Sequence, residues 1–107
     1  MKRLKTNRHI LHLLKNSKPK FQKVIIKHCD AEVIKTFCEI ALNILKGNCN
    51  LSKKATTQLR KYKKELRSLI CRKKSINSKR KIIIQRGGFL PTLIGAVLSG
   101  IIGRFLQ

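Results

Sequence analysis

Residues 87–103 contain no charged side chain, in a chain that is otherwise dense with lysine and arginine. Such a stretch has to find apolar surroundings. Gly87-Gly88 reads as a hinge, and Pro91 suits the first turn of a following helix, where a missing N–H costs nothing. Gly95, Ser99 and Gly103 recur every four residues and so share one helix face, the spacing that lets membrane helices approach closely. At ~1.5 Å per residue, residues 89–106 reach roughly 27 Å, close to the ~30 Å of a hydrocarbon core. Arg104 sits near the end, where a long side chain snorkels to headgroups. The spacing predicts a tail that inserts, lies at an interface or packs on a sibling chain. The contact residues would be Phe89, Leu90, Leu93, Ile94, Gly95, Leu98, Ser99, Ile102, Gly103 and Phe105. The competing reading is a helix buried in the protein's own core, a common fate of short apolar runs.

The remainder is a polycation. The net charge is +22, with four acids against 26 Lys and Arg. Residues 1–28 carry nine of those cations and no acid; residues 51–86 carry fourteen against Glu65 alone. Charge this dense repels itself until a polyanion neutralises it, so nucleic acid is the first expected partner and an anionic membrane surface the second. A length of 107 residues allows one small domain and a tail. The expected division is a basic helical domain over residues 1–86 and an apolar tail over 87–107.

Within the basic part, Ile10, Leu13 and Leu14 fit a helical stripe, broken before Pro19. A second helix starts at Pro19, with Phe21, Val24, Ile25 and Ile26 inward. Asp30 is placed to cap a third helix. Its positions Val33, Ile34, Phe37, Cys38, Ala41, Ile44 and Leu45 form the broadest apolar face of the basic part, ended by Gly47. A fourth helix, capped by Ser52, has the seam Ala55, Leu59, Tyr62, Leu66, Leu69 and Ile70. Ser75 to Ser78 signal a turn and cap before residues 79–86, read as a short helix although Ile82, Ile83 and Ile84 locally favour strand. The fold class is therefore all-α: three to four amphipathic helices in a small bundle, with an apolar C-terminal helix after the glycine pair.

Little in this sequence suggests an enzyme. No carboxylate pair, supported nucleophile or phosphate loop stands out. Cys29, Cys38, Cys49 and Cys71 lack zinc-ligand spacing and read as reduced thiols; no metal or other cofactor is expected. Five aromatics are too few for a base-stacking module. Phosphate contact remains. The predicted cationic set is Lys53, Lys54, Arg60, Lys61, Lys63, Lys64, Arg67, Arg72, Lys73, Lys74, Lys79, Arg80, Lys81 and Arg86. Lysine is a point charge rather than a planar reader of bases, which suits sequence-independent binding and condensation of double-stranded DNA. Two alternatives stand beside this reading: a membrane-active virion protein, and a transcription regulator of helix–turn–helix type built on residues 30–74.

Two resemblances bear on that choice. Phe37-Cys38-Glu39-Ile40-Ala41-Leu42-Asn43-Ile44-Leu45, within residues 30–47, resembles the core of the small basic protein of Polinton/Maverick elements and adintoviruses, a likeness covering roughly residues 25–106. Gln85-Arg86-Gly87-Gly88-Phe89-Leu90-Pro91 is similar to the junction in the precursor of the adenovirus core peptide mu. These likenesses imply a virion or mobile-element basic protein acting in the particle and the host nucleus. The expected partners of the tail are an anionic membrane, other virion proteins or a second copy. The mu likeness implies proteolytic processing between Gly88 and Phe89, with Gly87 before the cut; Gln85 stands where that protease takes Met, Ile or Leu.

Overall fold

A computed structural model describes residue 3 and residues 6–47, 53–85 and 89–98, with side chains through residue 95. Among these residues there are seven helices and no strand: α1 (Arg8–Lys15), α2 (Pro19–His28), α3 (Ala31–Leu45), α4 (Lys53–Arg60), α5 (Lys63–Leu69), α6 (Ile76–Gln85) and α7 (Phe89–Leu98). The fold is all-α, as the periodicity predicts. Its principal extents are 30 × 27 × 25 Å.

Helix α3 follows its local signals closely. The Asp30 carboxylate accepts from the Val33 amide at 3.3 Å, closing the N-terminus. Val33, Ile34, Phe37, Ile40 and Ala41 are buried. The chain leaves the helix through Gly47 at φ +72°, the left-handed conformation in which a Cβ is strained. Replacing Gly47 by Ala should therefore destabilise the protein by about 1 kcal/mol in denaturant titration. Helix α3 packs on α5 and α6, and α6 also packs on α2.

Two helix ends are closed by side chains from elsewhere. Gln22, buried on α2, donates Nε2 to the Leu14 carbonyl at 2.8 Å and so finishes α1. Arg80, on α6, finishes α2 in the same way. These contacts turn α2 away from the predicted orientation: Gln22 and Ile26 face inward, whereas Phe21 and Val24 are exposed. On α1 the inward pair is Leu11 and Leu14, and Leu13 faces out.

The expected fourth helix is divided in two. Its seam holds, with Leu59, Leu66 and Leu69 buried and Ala55, Tyr62 and Ile70 half-buried. At Lys61 and Tyr62 the hydrogen bonds tighten to the residues three back, Gln58 and Leu59, and the helix is interrupted. The two halves serve different neighbours: α4 packs on α7, while α5 packs on α3 and α6. Helix α6 has the predicted cap, the Ser75 hydroxyl accepting from the Ser78 amide at 3.1 Å, so the isoleucine run is helical.

The largest correction concerns the apolar tail. Helix α7 lies against α1, α4 and α6, with Phe89, Leu90, Leu93 and Ile94 buried in the common hydrophobic core. The Phe89 ring stacks at a tilt on Tyr62, with centroids 5.3 Å apart. The competing core-helix reading is the correct one for these residues. A segment without charge is the best available filler for a core that the strongly charged helices complete poorly. No helix among the described residues is long and apolar enough to cross a membrane. Gly95 faces outward, and a Cβ built there meets nothing within 4 Å, so no neighbour among the described residues requires a glycine. Gly95→Ala should stabilise the protein by about 0.5–1 kcal/mol through helix propensity alone. The glycine pair Gly87-Gly88, the proposed cut and Arg86 lie outside the described residues, as do Ser99, Ile102, Gly103, Phe105 and the side chain of Leu98.

Candidate polyanion interface

The acids are gathered mainly at one place. Arg3 donates Nε to Glu32 Oε2 at 3.1 Å and its Nη1 lies 3.6 Å from Glu39 Oε2; Lys35 Nζ lies 3.5 Å from the other Glu32 oxygen. Arg3, Glu32 and Glu39, with Thr6, Asn7 and Asp30, line a recess of about 560 Å³. Asn7 donates Nδ2 to the Thr36 hydroxyl at 3.0 Å. Positive charge here is answered by negative charge. Glu65, the remaining acid, is half-buried on α5. Four acids cannot balance 26 cations, and the unbalanced excess is exposed elsewhere.

The larger part of that excess follows α4 and α5, the turn after them and one position of α6. Lys53, Lys54, Arg60, Lys61, Lys63, Lys64, Arg67, Arg72, Lys73, Lys74 and Lys81 are all exposed. The inward seam of α4 and α5 leaves these residues only the outer face, so the hydrophobic period positions the charges. Lys63, Lys64 and Arg67 of α5 come together with Lys74 from the following turn around a recess of about 370 Å³, completed by Ser68 and Cys71. Lys74 Nζ reaches the Ser68 hydroxyl at 3.4 Å. Four cations and no acid line it. Such a concavity concentrates positive potential and suits phosphate oxygens.

Two predicted members do different work. Arg80 is half-buried, and its Nη1 donates to the carbonyls of Ile26 and Cys29, both at 2.6 Å, with Cys29 Sγ at 3.4 Å. This guanidinium is committed to the last turn of α2, where cations complement the helix dipole. Lys79 is half-buried, and its charge offsets part of the rise that burial gives the Cys38 thiol pKa. Arg80 is a correction to the predicted set, Lys79 is less exposed than its other members, and Arg86 is outside the described residues. Arg80→Ala should cost about 1.5–3 kcal/mol, the range for losing a charged donor to part-buried carbonyls. Arg80→Lys should recover only part of it, because an ammonium lacks the pre-organised planar fork. Duplex binding at low temperature should barely change in either variant.

Burial raises the pKa of both Cys29 and Cys38, offset in part by Arg80 at the first and Lys79 at the second. The thiolate is the reactive form, so both thiols should alkylate much more slowly in the folded protein than in denaturant at about pH 8, read by mass spectrometry. The folded state holds these protons more tightly than the unfolded chain does. The contribution is therefore fully present below the unfolded thiol pKa and is lost as pH rises through the raised folded values. Among the described residues no three His, Cys, Asp or Glu side chains are grouped to hold a metal ion.

Comparison with protein families, with curated proteins and with solved structures gives no match for this chain.

Proposed function

We propose that the protein binds and condenses double-stranded DNA without reading its sequence, through the outer faces of α4 and α5, the turn after α5 and Lys81. One observation carries this reading: eleven exposed cations with too few acids to balance them, four of them converging on one concavity. Neutralising phosphates there releases condensed counterions, which supplies affinity irrespective of base order. The exposed cations of this interface are mostly lysines, point charges rather than planar readers of base edges, which favours condensation over the helix–turn–helix alternative. The resemblance to virion and mobile-element basic proteins supports a setting in a particle and the host nucleus.

Helix α7 enters this proposal as part of the core that holds α4 in place, not as a membrane or partner anchor. The test is binding to two unrelated duplexes of equal length, with single-molecule extension as the readout of condensation. Equal affinity and progressive shortening of both duplexes are expected; a strong preference for one duplex without shortening would favour sequence-specific regulation.

A further inference from the structure

The large apolar side chains that remain exposed among the described residues are all on the first two helices: Leu13 at 52%, Phe21 at 56% and Val24 at 51%. Soluble surfaces expose single apolar residues freely, but here every exposed large one among the described residues falls on two helices that are adjacent in the chain and packed together. The two helices are held in fixed relation. Gln22 Nε2 on the Leu14 carbonyl ties the end of α1 to the first turn of α2, and the Ser17 hydroxyl donates to the Leu13 carbonyl at 2.7 Å. Phe21 and Val24, three residues apart, share the outward side of α2. Lys15, Lys20 and Lys23 are exposed on the same pair of helices, and residues 1–28 contain no acid.

We propose that this α1–α2 face is a docking surface for an anionic lipid bilayer. Exposed apolar side chains on two helices that carry lysines and no carboxylate of their own match a partner that is negative at its surface and apolar just beneath. A bilayer with acidic headgroups has both layers, at the depth an amphipathic helix occupies. Each lysine near such a leaflet strengthens adsorption by about fivefold, and the three apolar side chains enter the acyl boundary. Duplex DNA supplies the charge but no apolar phase for Phe21. The proposal is independent of the duplex interface, which uses α4, α5 and the turn that follows. It also differs from anchoring by the C-terminal helix, whose first four large apolar residues are buried.

The test uses the full chain. Tryptophan is absent, so Phe21→Trp places one fluorescent reporter on the face. On vesicles of mixed phosphatidylserine and phosphatidylcholine, its emission should shift to the blue and be quenched by brominated acyl chains. Adding duplex DNA alone should leave the emission unshifted. Adsorption with unshifted emission would mean attachment by charge only and overturns the proposal; no adsorption leaves a protein partner as the occupant and overturns it equally. A triple variant, Leu13→Gln, Phe21→Gln and Val24→Gln, keeps the net charge and helix-forming residues. It should lose about a hundredfold in vesicle partition while binding duplex DNA as before. Equal partition of the triple variant and the parent protein would also overturn the proposal. Loss of duplex binding in the Lys and Arg variants would leave these lipid results unchanged, so the two interfaces fail separately.

Discussion

A chain ending at residue 88 should show no cooperative unfolding transition, although it keeps every strongly amphipathic helix. Removing α7 takes Phe89, Leu90, Leu93 and Ile94 out of the core together. Truncating one such side chain to alanine typically costs about 2–5 kcal/mol, and a whole domain is stable by only about 5–15 kcal/mol. Four losses at once therefore exceed what a protein of this size holds in reserve. The exposed ends of the gap would be α1 and α4, which pack on α7, so loss of structure should be greatest there. Circular dichroism with thermal melts of residues 1–88 and of the full chain makes the comparison. A subtler variant, Leu93→Ala, should fold but lose about 2–5 kcal/mol. If residues 1–88 melted as sharply as the full chain, the tail would be separable after all.

The second large effect is on binding. Replacing Lys63, Lys64, Arg67 and Lys74 by glutamine removes the cations that converge on the concavity beside α5. Each contributes about 0.9 to the dependence of log affinity on log salt, so the slope should fall by roughly 3.6. At about 0.1 M monovalent salt that amounts to roughly three orders of magnitude in affinity. All four side chains are exposed, so the fold should be retained. Neutralising the same number of cations on the first two helices and their connection, at Lys15, Lys18, Lys20 and Lys23, should weaken duplex binding much less. Equal losses from the two sets would mean that net charge, and not this concavity, governs affinity.

The fold was legible wherever the signal was local. Asp30 and Gly47 bracket α3 because a cap and a left-handed stop are decided within a few residues. The seam of α4 and α5 is legible too, but its break at Lys61 and Tyr62 is not. A continuous helix would satisfy the same period, and the interruption follows from α4 and α5 having different partners, α7 for one and α3 with α6 for the other. The orientation of α2 is not legible for a related reason. Phe21, Val24, Ile25 and Ile26 can be divided between two faces, and Gln22, a polar residue, decides which is inward by closing α1. No pattern of apolar residues announces a buried glutamine.

The site was legible in outline and blurred in detail. The hydrophobic period of residues 53–70 leaves their lysines and arginines an outer face, so the exposed set could be read in advance. Arg80 could not, because its partners lie 51 and 54 residues away in sequence and nothing local distinguishes a capping arginine from a free one. The same holds for the uncharged residues of α7. Apolar runs of that length fit a bilayer or a core equally well, and only packing against α1, α4 and α6 separates the two. Its likeness to a membrane segment reflects absence of charge, which a core demands as strictly as lipid does.

The most direct test of the account is duplex DNA affinity measured against salt concentration for two unrelated sequences. A linear fall of log affinity with log salt, with a slope of about −5 or steeper and the same for both duplexes, is predicted from the number of unbalanced exposed cations. A slope near zero, or affinities for the two duplexes differing by about a hundredfold at equal salt, would contradict it.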